Sequence, residues 1–183
     1  MRLFVALALP ETIRWQLRLM CGGLPGARWV APENFHITLR FIGEVDGREF
    51  HDIDAALAGI RAPRFTVSIA GVGHFGSGSK LRSIWAGVDK QPALNHLRDK
   101  IESAVVRAGV PPEGQKFQPH VTLARSRGEL VPKLGEFLVH HNLFRSPPFE
   151  VTHFTLFSSY LHHNGAIYMP ERSYELSREL KRA

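Results

Sequence analysis

The sequence has 183 residues, of which 44% are hydrophobic, so it is long enough for one globular domain or two small lobes that share a core. Its one cysteine, Cys21, excludes an intramolecular disulfide and a cysteine-rich zinc site, and it fits a reducing, cytoplasmic environment. No apolar run reaches the roughly 18 to 20 residues needed to cross a bilayer, and the formal charge of +6 favours a polyanionic partner, although many soluble proteins carry such a surplus.

The elements predicted for the first half alternate between strands and helices. The stretch from Arg2 to Leu9 is apolar and is followed by Pro10, which is typical of a buried strand. The hydrophobic periodicity then predicts an amphipathic helix that ends near Gly22, a strand from Phe35 to Ile42, a helix from Asp52 to Ile60, and strands from Phe65 to Val72 and from Leu81 to Val88.

The second half repeats this alternation. Apolar residues from Leu94 to Ala108 recur at helical spacing, and Gly109 is well placed to end that helix. The sequence then predicts a strand from Phe117 to Ala124, a helix from Leu130 to His140 with Pro132 in its first turn, and a hairpin of strands from Phe149 to Tyr160 and from Ala166 to Leu176. Because the connections are too irregular for a strict parallel βαβ array, we predict an α+β fold with mainly antiparallel sheets.

One short phrase occurs in both halves: HITL begins at His36 and HVTL begins at His120. Side chains of a strand alternate between its two faces, so His36 and Thr38 share one face, and His120 and Thr122 share one face of the second strand. The apolar residues between them would anchor each strand in the core. If the two halves pack as a pseudo-symmetric pair, two imidazoles and two hydroxyls converge on one cleft.

This set of groups suits the hydrolysis of a phosphodiester or a cyclic phosphate. The reaction needs a base for the proton of water and an acid for the leaving ribose oxygen, and histidine can do either near neutral pH. Threonine hydroxyls and Arg125, five residues after His120, can donate hydrogen bonds to the phosphate oxygens. No metal is required, and a histidine and a threonine two residues apart lack the carboxylates and close histidines of a zinc or manganese site.

The residues around these motifs resemble the two-histidine phosphoesterases, and among them the RNA 2′,3′-cyclic phosphodiesterases, also called 2′-5′ RNA ligases. The similarity extends over nearly the whole chain and in the expected order. It is carried by MRLFVALALPE, RWVAPENFHITLRFIGEV, LRSIWAGV, FQPHVTLAR and FTLFSSYL.

The resemblance implies a bilobal fold over residues 1–183, with two mainly antiparallel sheets flanking a central cleft and helices on the outside. It also implies metal-independent and cofactor-independent hydrolysis of a 2′,3′-cyclic phosphate on RNA or a nucleoside to a terminal 2′-phosphate, with possible reversal to 2′-5′ ligation. By motif position, His36 would be the general acid and His120 the general base, while Thr38, Thr122 and Arg125 would bind the phosphate.

Several alternatives stay open on the sequence. The protein, expected to be a monomer, could be a non-catalytic module that binds RNA ends or nucleotides in the same cleft, or it could have a related activity, such as hydrolysis of ADP-ribose cyclic phosphate or 2′-5′ linked oligonucleotides. Arg40 lies on the same predicted strand face as His36, and the sequence leaves two positions open for its side chain: in the cleft, or outside it against solvent or the interface of the lobes. For Phe4, Trp29 and Phe41 we predict core packing rather than stacking on a base.

Overall fold

The computed structural model describes residues 1–126, 131–163 and 165–178. These residues form the predicted α+β fold. The strands are β1 (Arg2–Ala8), β2 (Arg28–Trp29), β3 (His36–Glu44), β4 (Phe65–Val67), β5 (Ile69–Phe75), β6 (Ser83–Val88), β7 (His120–Arg125), β8 (Phe149–Val151), β9 (His153–His162) and β10 (Gly165–Glu175). The helices are α1 (Glu11–Met20), α2 (Gly47–Ala58), α3 (Pro92–Arg107) and α4 (Leu134–His141), with short 3-10 helices at Pro32–Asn34 and Gly78–Lys80.

The main sheet consists of two antiparallel halves that meet between the two motif strands. Its strand order is β10-β9-β1-β3-β7-β6-β5, and β2 pairs with β7 beside β3. The halves are joined where Ile37 of β3 lies opposite Val121 of β7, so the two sheets expected on either side of the cleft form one continuous sheet. Strands β4 and β8 form a separate two-stranded sheet. Each half therefore contributes one histidine motif to the centre of the molecule.

The hydrophobic core lies on one face of the main sheet. There, Ile37 and Leu39 of β3 and Val121 and Leu123 of β7 pack with apolar residues of α1, α2 and α3. A smaller cluster beneath β6 and β7 includes Phe137 of α4. Since these helices cover only the face that carries the apolar motif residues, the opposite face is left for the polar ones. Among the described helices, none is long and apolar enough to span a membrane.

Two predicted boundaries in the first half are wrong. Helix α2 begins at Gly47 rather than Asp52, because Asp46 and Glu49 form a reciprocal capping box with two N–H···O contacts of 2.8 Å. The single strand predicted from Phe65 to Val72 is two strands, and Ser68 separates them. One pairs with β8 and the other with β6, so the chain passes from one sheet to the other at this residue.

The predicted start of the last helix also differs from the structure. Helix α4 begins at Leu134, so Pro132 precedes it instead of lying in its first turn. Lys133 has a φ of 64°, a left-handed conformation that a right-handed helix does not include. Leu130, the predicted first residue of this helix, lies outside the described residues, as does Asn164.

Candidate active site

The pairing of β3 with β7 places all four motif side chains on one face of the sheet. Ile37 and Val121 are directly opposite each other and point into the core. The residues before and after each of them therefore point to the other face. This arrangement brings His36 and Thr38 of one half beside His120 and Thr122 of the other, as the duplicated motif predicts. All four side chains are partly exposed in the resulting cleft.

His36 is held by two hydrogen bonds that fix the orientation of its ring. Its Nδ1 lies 2.7 Å from the carbonyl oxygen of Asn34, and its Nε2 lies 3.0 Å from Thr38 Oγ1. A carbonyl oxygen only accepts, so Nδ1 carries the proton and, in the neutral ring, Nε2 accepts from the Thr38 hydroxyl. Asn34 in turn donates from Nδ2 to the carbonyl of Ala166 at 2.9 Å, which links this end of β3 to the β9–β10 hairpin.

His120 repeats the backbone contact of His36. Its Nδ1 lies 2.7 Å from the carbonyl oxygen of Gln118, two residues earlier, just as His36 contacts Asn34. Because both backbone contacts use Nδ1, Nε2 is the nitrogen of each ring that can take part in a proton transfer. Within the described part of the chain, Thr122 Oγ1 forms no hydrogen bond comparable to that of Thr38. Its hydroxyl is thus free to contact a ligand.

A β-bulge in β7 brings Arg125 to the same face as His120. Simple alternation would point Arg125 away, since it is an odd number of residues from the histidine. However, Trp85 of β6 lies opposite Thr122 and Ile84 lies opposite Ala124, so Leu123 is an extra residue in β7. After the bulge Arg125 lies opposite Ser83, which shares a face of β6 with Trp85. The Arg125 side chain therefore belongs to the cleft.

An equivalent bulge in β3 removes Arg40 from the cleft. Ala6 lies opposite Thr38 and Val5 lies opposite Arg40, so Leu39 is the extra residue here. Arg40 is only 5% exposed and forms an ion pair with Glu102 of α3. Of the two positions predicted for Arg40, the one outside the cleft is correct.

The guanidinium of Arg40 also has contacts beyond Glu102. It donates to the backbone carbonyl oxygens of Phe41 and Pro111, and it lies 3.8 Å from a carboxylate oxygen of Glu113. Glu102 accepts from the backbone N–H of Glu113 at 2.8 Å. The motif strand β3 is thereby tied to α3 and to the loop that leads to His120.

The β3 bulge turns Phe41 into the cleft at the position that corresponds to Arg125. Both residues follow a motif histidine by five positions, and Phe41 lies opposite Phe4, whose ring centroid is 5.0 Å from that of His36. Phe41 is 58% exposed, so the predicted core packing is wrong for this residue. It is right for Phe4, which is 3% exposed, and for Trp29, which packs against both apolar clusters. The cleft is therefore aromatic on one side and basic on the other.

Further aromatic rings surround both histidines. Tyr168 of β10 contacts His36 edge-on with ring centroids 5.2 Å apart. Phe75 and Trp85 contact His120 at 4.9 Å and 6.0 Å. These rings remove water from around both imidazoles and leave their Nε2 atoms facing the cleft.

The pKa values of both histidines are lowered in the free protein. Burial lowers the pKa of His36 to about 4, the positive charges of Arg125 and His120 add to this, and the Asn34 carbonyl opposes it. Burial also lowers the pKa of His120, again with a contribution from Arg125 and against the effect of the Gln118 carbonyl. Both rings are therefore mainly neutral at pH 7, and an anion bound between them would raise both pKa values.

We expect the depressed pKa of His36 to make folding stability pH-dependent. The unfolded ring titrates near 6.5 and the folded ring near 4, so stability is fully present above pH 6.5 and falls as the pH drops toward 4. The loss should reach about 3 kcal/mol relative to a His36→Gln variant. Urea unfolding of both proteins between pH 7 and 4 measures the difference, and His51→Gln, at an exposed position of α2, should follow the wild-type curve. Parallel curves for the wild type and His36→Gln would contradict the expectation.

Comparisons with known proteins identify the family of this chain. The sequence matches the family described as LigT like Phosphoesterase over residues 7–85 and 87–168, which include both motifs. The chain belongs to this family. In the described ranges, this LigT-like phosphoesterase has no group of three or more His, Cys, Asp or Glu side chains that could hold a metal ion.

Relatives of this LigT-like phosphoesterase cover most of its length. The RNA 2′,3′-cyclic phosphodiesterase of Aeropyrum pernix is 39% identical over 148 residues, which is 80% of this chain and 84% of the relative. That of Thermotoga maritima is 34% identical over 177 residues, 92% of this chain and 91% of the relative. The crystal structure of Escherichia coli LigT complexed with 3′-AMP has a TM-score of 0.78 and 27% identity, and the match covers 97% of this chain and 98% of that one.

All five residues predicted from the sequence lie at the cleft of this LigT-like phosphoesterase: His36, Thr38, His120, Thr122 and Arg125. The sequence interpretation missed the backbone carbonyls of Asn34 and Gln118, which orient the histidines, and it wrongly placed Phe41 in the core. A comparison of the two motifs at equal distance from their histidines would have pointed to that aromatic residue, since it occupies the position of Arg125.

Proposed function

We propose that this protein is a metal-independent RNA 2′,3′-cyclic phosphodiesterase that forms a terminal 2′-phosphate. The observation that carries the proposal is the pair of equivalently held histidines, one from each half, with an exposed arginine on the same face. The names of the relatives from Aeropyrum pernix and Thermotoga maritima support the substrate class. The complex of Escherichia coli LigT with 3′-AMP supports a nucleotide ligand.

In the proposed reaction His120 and His36 act on opposite sides of the phosphorus atom. His120 Nε2 takes a proton from water as the water oxygen bonds to phosphorus. The bond from phosphorus to the ribose 3′ oxygen breaks, and His36 Nε2 donates its proton to that oxygen. The products are a 2′-phosphate and a free 3′ hydroxyl, with His120 protonated and His36 neutral. Exchange with solvent restores the starting protonation states.

Binding of the substrate would prepare His36 for its role as the acid. With a pKa of about 4 in the free protein, the ring is neutral at pH 7 and accepts from Thr38. A negative phosphate beside Nε2 favours the protonated ring and raises this pKa. The protonated ring no longer needs the Thr38 hydrogen, so that hydroxyl can turn to a phosphate oxygen. One anion thus charges the acid and releases a donor at once.

Removing either motif hydroxyl should slow the reaction. Thr38→Val and Thr122→Val keep the side-chain shape and remove a donor to the phosphate, so each should raise the barrier by about 1 to 3 kcal/mol. Steady-state kinetics on a nucleoside 2′,3′-cyclic phosphate measure this change. Thr66→Val, at an exposed position of β4, is the matched control and should have wild-type rates. Unchanged rates in both cleft variants would remove the hydroxyls from the mechanism.

The proposal extends to the reverse reaction, the oligomeric state and the cellular location. If the 5′ hydroxyl of a second RNA replaces water as the nucleophile, its oxygen bonds to phosphorus, the bond to the 3′ oxygen breaks, and the same two histidines transfer the protons, so that a 2′-5′ linkage joins the RNA ends. One chain supplies both histidines and Arg125, so the proposed chemistry requires no residue from a second copy, and we propose a monomer. A lone, partly buried cysteine supports the cytoplasm as the site of action on RNA ends.

The alternative function is a module that binds RNA ends in the cleft without hydrolysing them. To separate the two, we would incubate the protein with a nucleoside 2′,3′-cyclic phosphate in excess EDTA. We expect the rate in EDTA to equal the rate measured without EDTA. A His120→Ala protein prepared in the same way controls for contaminating nucleases. Binding without turnover would support the module, and turnover only with added metal would contradict metal independence.

A further inference from the structure

A second arginine lies directly beside Arg125 on the cleft face. Arg28 of β2 is the cross-strand partner of Arg125, and Trp29 is the partner of Ala124. Trp29 and Ala124 belong to the apolar cluster under the sheet, where the Trp29 ring lies 5.9 Å from that of Phe137. Cross-strand partners point to the same face, so Arg28 and Arg125 both point to the opposite one.

Neither arginine has an acidic partner among the described residues. Both are exposed, and the ion pairs formed in this part of the chain include neither of them. Two like charges directly opposite each other in a sheet repel. Other surface arginines of this protein, such as Arg145 and Arg172, pair with aspartates. Phosphate groups bound beside Arg28 and Arg125 would relieve this repulsion.

The position of Arg28 along β7 separates it from the reacting phosphate. Strands β3 and β2 pair with the same edge of β7: Ile37 lies opposite Val121, and farther along Arg28 lies opposite Arg125. Arg28 is therefore on the His36 side of the cleft, beyond the histidine. The charge of Arg125 lowers the pKa of both histidines, whereas Arg28 contributes to neither shift, which agrees with this greater distance.

We infer that Arg28 binds the 5′-phosphate group of the nucleotide whose cyclic phosphate lies between the histidines. The inference rests on the proposed function. With the 3′ oxygen facing His36, the ribose lies on that side, and its 5′ carbon leads to the next phosphate of the RNA chain. At this end of β3 Arg28 is exposed and forms no ion pair with any described residue, and Phe41 lies at the other end for the base. Arg28 thus makes the site selective for an RNA end over a free cyclic nucleoside.

The test compares two probes that differ only at the 5′ position: a nucleoside 2′,3′-cyclic phosphate with a 5′ hydroxyl and the same compound with a 5′-phosphate. The wild type should prefer the second, and Arg28→Gln should lower the ratio of the two kcat/KM values about tenfold, the size expected for one lost charged hydrogen bond. On a short RNA with a cyclic end, the slope of log kcat/KM against log salt should become shallower by about 0.7. Arg48→Gln on the helix face removes the same charge and should keep the wild-type ratio.

The outcomes separate this inference from the proposed function. Equal losses on both probes would mean that Arg28 acts on the reacting phosphate, and an unchanged ratio would mean that it touches no 5′-phosphate; either result overturns the inference. If the wild type hydrolyses neither probe, the proposed function fails. In that case we would measure by calorimetry the dissociation constants of a nucleoside 2′-phosphate and of the same compound with an added 5′-phosphate. Arg28→Gln should still remove the 5′-phosphate preference, and its persistence would overturn the inference.

Discussion

His36→Ala and His120→Ala should each lower kcat/KM by about 10²- to 10⁴-fold, the range for loss of a general acid or base. Because both proton transfers belong to one displacement, the double variant should be little slower than the slower single variant. Equilibrium urea unfolding curves at pH 7 show whether each variant remains folded. A single variant with near wild-type turnover would remove that histidine from the mechanism.

A substrate with a better leaving group at the 3′ position should distinguish the two roles. Such a group needs no proton from an acid, so it should restore much of the activity of His36→Ala and little of that of His120→Ala. The pKa of His36 is about 4 in the free protein, so this ring is neutral at pH 7 and can act as an acid only after the bound phosphate raises its pKa. The rescue experiment tests this role directly. Preferential rescue of His120→Ala would mean that the two roles are exchanged.

Arg40→Met should lower the free energy of unfolding by about 3 to 5 kcal/mol, the range for removing one partner of a buried ion pair. The change leaves the Glu102 carboxylate without its main cation, and it removes donors to the carbonyls of Phe41 and Pro111. The pKa of Glu102 is lowered in the native protein: its burial acts in the opposite direction, but the Glu113 N–H and Arg40 outweigh it. The carboxylate is thus charged at pH 7.

Urea unfolding at pH 7 measures the effect of Arg40→Met. The double variant Arg40→Met, Glu102→Leu removes both charges and should recover part of the loss, because no uncompensated carboxylate remains. Arg61→Met, at an exposed position after α2, is the control and should change stability by less than about 0.5 kcal/mol. A loss below about 1 kcal/mol for Arg40→Met would show that the ion pair behaves like an exposed one.

The sequence predicted the centre of the cleft because strand alternation is a local property. The pattern of His36, Ile37 and Thr38 assigns each side chain to a face, and its repetition at His120 assigns the second strand in the same way. The antiparallel α+β fold followed from the spacing of strand and helix signals. Residues that depend on simple alternation were therefore placed correctly.

The sequence could not predict what depends on irregular pairing. The bulges at Leu39 and Leu123 arise from the register of β3 with β1 and of β7 with β6, which no local pattern encodes. They reverse the alternation beyond each motif, and so they place Phe41 in the cleft and Arg40 in the interior. Arg125 was predicted at the cleft from its position in the family motif, since alternation alone would have pointed it away. The Arg28 pairing was missed for a related reason, since β2 has two residues and its position is set by its contact with β7.

The most direct test of the proposed mechanism is the identity of the product. We would follow the reaction of the wild-type protein with a nucleoside 2′,3′-cyclic phosphate in excess EDTA by phosphorus NMR, with authentic 2′- and 3′-phosphates as standards. With His36 placed against the 3′ oxygen, the account predicts that the 2′-phosphate is the sole product and that His36→Ala and His120→Ala form almost none. A predominance of the 3′-phosphate would contradict the proposed orientation of the substrate, and no hydrolysis would contradict the proposed activity.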